Sequence, residues 1–76
     1  MKELLEYIAK SLVDYPADVI VTESENGSTT VLELRVNESD MGKVIGKQGR
    51  IAKSIRAVIK AAASRENKKA VVEIMQ

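Results

Sequence analysis

Cysteine and histidine are both missing from this 76-residue chain. Their absence removes disulfide staples, thiol nucleophiles and the usual zinc ligands together. Phenylalanine and tryptophan are missing as well, and Tyr7 and Tyr15 are the only aromatic side chains. An extended aromatic stacking platform cannot be built from two tyrosines, and both are expected on the apolar face of the first helix, as core. No stretch is apolar enough to span a membrane, and Met1-Lys2-Glu3-Leu4-Leu5-Glu6 lacks the pattern of a signal peptide. The expectation is a cytoplasmic chain forming one domain over residues 1–76. A chain this short buries only about 60% of its unfolded surface.

Acidic residues are absent from one long segment. Between Met41 and Arg65 stand Lys43, Lys47, Arg50, Lys53, Arg56, Lys60 and Arg65, with no aspartate or glutamate. The whole chain carries +1, so the remainder, with five basic and eleven acidic residues, carries −6. Cations on a solvated helix face are ordinarily balanced by acids at i±4. Here that balance is lacking, and the uncompensated repulsion favours a polyanionic partner.

The hydropathy pattern divides the chain into six elements. Leu4, Ile8 and Leu12, widened by Leu5 and Tyr15, predict a helix from Lys2 to about Asp14, ended by Pro16. The β-branched run Asp18–Glu23 predicts a strand, and Asn26-Gly27 within Glu25–Ser28 predicts a hairpin turn. Thr29–Val36 alternates, with Leu32, Leu34 and Val36 on one side and Glu33 and Arg35 on the other. Asn37 or Ser39 then caps a short helix running to about Ile45. A longer helix, about Arg50–Ser64, gathers Ile51, Ile55, Val58, Ile59 and Ala62 on one face and Arg50, Lys53, Arg56 and Lys60 opposite. After the polar turn Glu66–Lys69, Ala70–Met75 closes as a strand. The order αββααβ describes an α+β fold, a sheet covered by helices on one face. Val31, Val71 and Met75 would face away from those helices, which hints at a covered sheet face or dimer contact.

The chemistry concentrates at Val44-Ile45-Gly46-Lys47-Gln48-Gly49. Two glycines bracket a basic and a polar residue at a joint between helices. Lacking Cβ atoms, they let a ligand approach the backbone closely. The helix that starts beyond them aims its unsatisfied N–H groups at the joint, which favours an anion such as a nucleic-acid phosphate. A plain helix–turn–helix joint would account for the glycines but not for Lys47 and Gln48 between them. The spacing Gly42-x-x-x-Gly46-Lys47 is one residue short of a Walker A loop, and Gln48 stands where Ser or Thr would hold magnesium.

The run Val44 to Ile55 resembles the signature of the KH domain, in which a GXXG loop joins two helices and clamps about four nucleotides of single-stranded nucleic acid. The element order resembles the type II arrangement, and the length resembles the small bacterial single-KH RNA-binding proteins of the KhpA type. The resemblance implies a three-stranded mixed sheet and non-catalytic binding of single-stranded RNA. It also implies single-stranded DNA as a weaker ligand, and work as an RNA chaperone or post-transcriptional regulator. It further implies pairing, as a homodimer or with a larger KH-containing protein. Gly46 and Gly49 would admit the phosphodiester chain, Lys47, Gln48, Arg50 and Lys53 would meet it, and Val44 and Ile45 would support the bases. No metal, cofactor or catalytic residue is expected; the carboxylates, Asp40 among them, are read as caps and solubilising charges. Two rivals stand beside this reading: a protein–protein assembly module built on the same fold, and a basic helix for anionic membranes. The second conflicts with the need for Ile51, Ile55 and Ile59 in a small core.

Overall fold

The computed structural model describes residues 1–75. Its helices are α1 (Lys2–Leu12), α2 (Met41–Ile45) and α3 (Arg50–Arg65), and its strands β1 (Ile20–Asn26), β2 (Thr29–Arg35) and β3 (Lys69–Met75). β2 is central, paired antiparallel with β1 and parallel with β3. The expected αββααβ order and mixed three-stranded sheet are therefore present. A hairpin suffices for the antiparallel pair, whereas the parallel pair needs a long crossover, which α2 and α3 supply.

The core lies between the sheet and the helices. Leu5 and Ala9 of α1, Val21, Leu32, Leu34 and Val72 of the sheet, and Val44, Ile55 and Ile59 pack together as one buried cluster. The alternation in β2 places Thr30, Leu32 and Leu34 on that side. Val31 and Val71 are register partners on the opposite face, where Val71 is 46% exposed.

Several sequence expectations shift. The first helix stops at Leu12, short of Asp14, and Pro16 instead opens a single 3₁₀ turn, Pro16–Asp18, a position where its fixed φ and missing N–H cost little. The first strand runs Ile20–Asn26 rather than Asp18–Glu23. Asn26 pairs with Thr29, so the two-residue turn is Gly27-Ser28, with φ +66° at Gly27. Tyr7 is 72% and Tyr15 53% exposed, so neither is core: the buried stripe of α1 is too narrow to take Tyr7, and Tyr15 lies beyond the end of α1, before the Pro16 turn. Val58 is likewise 47% exposed, and the alanines Ala52 and Ala63 take its expected place because α3 lies close against its neighbours. The expected cap falls on a separate 3₁₀ turn, Glu38–Asp40, where the Asn37 side chain accepts from the Ser39 N–H at 2.9 Å, and α2 follows with Asp40 at its N-cap and no side-chain cap bond.

Candidate nucleic-acid interface

α2 has only five residues, too few to be stable alone, so tertiary contacts must hold it. Two do. Val44 is fully buried beneath it. At its start the Asp40 carboxylate, also fully buried, accepts hydrogen bonds from the backbone N–H groups of Asp14 (3.2 Å) and Tyr15 (3.1 Å). Lys43 Nζ lies 3.3 Å from the same carboxylate and 2.7 Å from that of Asp14. Burial by itself would raise the Asp40 pKa. The two backbone donors and the Lys43 ammonium outweigh it, and the net shift is below the ordinary carboxylate value. The hydrogen bond to Asp14, then that to Asp40, raises the pKa of Lys43. Asp40 is thus a tether between the segment after α1 and the helix that leads into the glycine joint. Nothing in the sequence reveals this, because the groups it satisfies lie 25 and 26 residues away.

α2 ends at Gly46, whose N–H donates to the Gly42 carbonyl at 2.8 Å. Gly46 has φ 75° and ψ 176°, a region essentially reserved for glycine. A Cβ there would come within 2.6 Å of Ile51 Cγ1, so the backbone folds down directly onto the following helix. Gln48 (φ 56°, ψ 25°) and Gly49 (φ 73°, ψ 15°) are both left-handed. The Gly49 N–H donates back to the Gly46 carbonyl at 3.1 Å and the Arg50 N–H to the Lys47 carbonyl, so the joint closes as a tight turn with its glycines partly exposed at the surface. α3 then starts without a side-chain cap; the Lys47 carbonyl takes the Arg50 N–H, and the N–H groups that follow in the first turn lie with the positive end of the helix dipole at the joint.

The side chains around this joint sort into two groups. Lys47, Gln48, Arg50 and Lys53 are exposed, and among the described residues none of the three cations makes an ion pair. Arg50 Nη2 lies 3.5 Å from Gln48 Oε1, which sets both over the loop. Ile45 is half-buried against the core and borders the joint. Val44 does not belong with them. The inward face of α2 sends it into the core at 0% exposure, so it supports the loop from beneath rather than lining a surface for bases. Ser54 is also committed, donating its hydroxyl to the Arg50 carbonyl at 3.1 Å.

Beyond the sequence expectation, a cleft of about 300 Å³ lies between α3 and the outer edge of β3, lined by Arg56, Lys60, Ala70, Val71 and Val72. Arg56 donates from Nε to the Val72 carbonyl at 3.2 Å, covering one acceptor on that strand edge. The three-and-four spacing of Lys53, Arg56 and Lys60 was the available signal; the edge strand beside Arg56 and Lys60 was not legible from spacing. On the other side of α3, an apolar groove of about 400 Å³ is lined by Ile8, Leu12, Ile51, Ile55 and Val58, with Arg50 and Ser54 at its border.

A type II KH fold with an intact GXXG joint is what these observations define. The family model for the KhpA/KhpB KH domain matches residues 2–74. The chain belongs to that family. It is 67% identical over 75 residues to the RNA-binding protein KhpA of Clostridium perfringens, covering 99% of this chain and all of that one. The RNA-binding protein KhpA of Listeria monocytogenes is 47% identical over 76 residues, with both chains fully covered. Among solved structures, Aquifex aeolicus Era Y63A bound to GDP·AlF4⁻ superposes with a TM-score of 0.66 at 21% identity, over 96% of this chain. Era in complex with MgGDPNP and nucleotides 1506–1542 of 16S ribosomal RNA gives 0.69 at 21% identity, also over 96% of this chain. This chain spans 28% of the length of each of those Era chains, and the likeness concerns the fold.

Proposed function

We propose that this protein binds single-stranded RNA without catalysis, gripping the phosphate backbone at the GXXG joint. The observation that carries the reading is the joint itself. Positive φ at Gly46, Gln48 and Gly49 folds the backbone into a tight exposed turn, and Lys47 and Arg50, without ion-pair partners among the described residues, flank it at the start of a 16-residue helix that has no side-chain cap. Gly46 and Gly49 admit the chain, Lys47, Gln48, Arg50 and Lys53 meet phosphates, and Ile45 borders the bases. Relatives named RNA-binding proteins over their full length support the ligand class. Two or three ionic contacts to a single strand give a log–log salt slope of about −1.4 to −2. Affinity of one module is accordingly modest, and single-stranded DNA binds more weakly. Such a ligand places its work in the cytoplasm, as an RNA chaperone or post-transcriptional regulator.

Fluorescence anisotropy with a short random-sequence RNA tests this, comparing the protein with its Lys47→Asp/Gln48→Asp variant after circular dichroism confirms both folds. Binding by the wild type that weakens with salt and is lost in the variant establishes the phosphate clamp. Equal binding by both proteins, or by neither, rejects it.

A second reading, assembly through the same fold, is favoured by the apolar groove between α1 and α3, where Leu12 and Val58 are 37% and 47% exposed. Pairing with a second copy or a larger KH-containing chain would raise RNA affinity through effective concentration without new contacts. Sedimentation equilibrium of the Lys47→Asp/Gln48→Asp variant separates the two readings, since a dimer built on another surface survives loss of RNA binding.

A further inference from the structure

At the end of α3 opposite the joint lies a second group of cations that loop-based binding leaves unused. The helix closes with Asn67 at φ +57°, the Lys68 N–H bonded to the Ala63 carbonyl (2.9 Å) and the Asn67 N–H to that of Ser64 (3.0 Å). This reversal, a Schellman motif with asparagine at the left-handed position, starts β3 alongside the last turn of α3. It brings Lys68 and Lys69 beside Lys60 and Ser64 around a cleft of about 420 Å³, floored by Ala70 and Val71. No carboxylate lines this cleft, and among the described residues none of its lysines makes an ion pair. It is continuous with the Arg56 cleft, since Lys60, Ala70 and Val71 line both.

We infer that Lys60, Lys68 and Lys69 form a second phosphate site, which takes the same RNA strand several nucleotides beyond the GXXG joint. The inference rests on the reading of the joint given above. At about 100° per residue, Gly49, Lys53, Lys60 and Ser64 fall within about 60° of one another on α3, so the cations stand in line from joint to far end. Sixteen residues of helix span about 24 Å. A strand stacked at about 3.4 Å per nucleotide needs about seven nucleotides to cover that distance. The four or so nucleotides of a KH clamp reach only about 14 Å. The far site therefore meets phosphates that a minimal ligand lacks. The alignment of these cations with the joint along one face of α3 favours one polyanionic strand over an acidic protein segment.

The test is a length series. Oligouridylates of 4, 6, 8 and 12 nucleotides are titrated against the wild type, Lys68→Gln/Lys69→Gln and Lys47→Asp/Gln48→Asp. Both lysines are exposed, so the distal variant keeps its fold. Wild-type affinity should step up between the 4-mer and the 8-mer, with the salt slope steepening by about 1.4 for two added contacts. The distal variant should match the wild type on the 4-mer and show no step. A wild type without a step, or a distal variant that retains it, overturns the site. Equal loss on the 4-mer overturns it too, because the lysines would then belong to the primary clamp. Poly-glutamate binding lost with the lysines while the step persists would assign the patch to an acidic protein. If the joint variant keeps 4-mer binding, the reading of the joint fails by itself, and the step on the distal lysines remains separately readable.

Discussion

Lys43 and Lys47 lie one helical turn apart in sequence and have opposite fates. Lys43 is held by two carboxylates, at 2.7 Å from Asp14 and 3.3 Å from Asp40, and serves the fold. Lys47 is exposed beyond Gly46 with no carboxylate partner among the described residues, in the joint proposed above to meet phosphate. In a segment that looks uniformly basic, one cation is neutralised by the protein's own carboxylates and its neighbour is left exposed. Gly46 and Gly49 divide in the same way: one is fixed by contact with Ile51, the other is open to solvent on its Cβ side.

The sharpest way to break this division is at the glycines. Gly46→Ala must adopt a glycine-only conformation and push Ile51 away, so a loss of about 1–3 kcal/mol in urea denaturation is expected, with RNA binding lost alongside. Gly49→Ala meets no atom within 4 Å and carries only the left-handed penalty of about 1–2 kcal/mol. Gly49→Asn should cost less still, since asparagine tolerates that region. Equal losses at Gly46 and Gly49 would mean that the Ile51 contact does not set the joint.

The lysines give the next comparison. Lys47→Met should weaken RNA binding at low salt and reduce the salt slope by about 0.7, the value of one single-strand contact. Lys43→Met should leave the slope unchanged and register in thermal denaturation instead. A slope change at Lys43 would show that its carboxylate partners release it to RNA.

The tether has a pH signature. The folded pKa of Asp40 is depressed, so its contribution is present above the unfolded carboxylate value near 3.8 and is lost as pH falls through the lower folded value. Lys43 has a raised folded pKa, so its contribution is present below about 10.5 and is lost as pH rises through the folded value. Between about pH 5 and 9 neither should alter stability. Asp40→Asn should flatten the acid limb of a stability–pH curve relative to wild type; an unchanged limb would remove Asp40 from the account. The smallest effect is expected at Val58→Ser, which lies on the exposed side of α3 and should change stability by within about 0.5 kcal/mol. A larger loss, growing with protein concentration, would show that a second chain covers the groove beside it.

Much of the site was legible because its signals are local. The two glycines without Cβ, the basic insert between them and the uncompensated charge of Met41–Arg65 are written in consecutive residues. Boundaries were less legible. The turn moved from Asn26-Gly27 to Gly27-Ser28 because strand register, set by burial of Val21, Leu32 and Leu34, decides which residue pairs with Thr29. Val44 could not be told from Ile45 by hydrophobicity, since only the direction of α2 against the core buries one and leaves the other half-exposed.

By itself the sequence determined the element order, the α+β class, the separation of charge and the glycine joint, because periodicity and backbone freedom are properties of neighbouring residues. Only the tertiary structure decided that Asp40 is a buried tether, that Lys43 is consumed by it, and that Lys60, Lys68 and Lys69 share one cleft. Each of those facts brings together groups separated along the chain, and the packing of helix against sheet sets their distances.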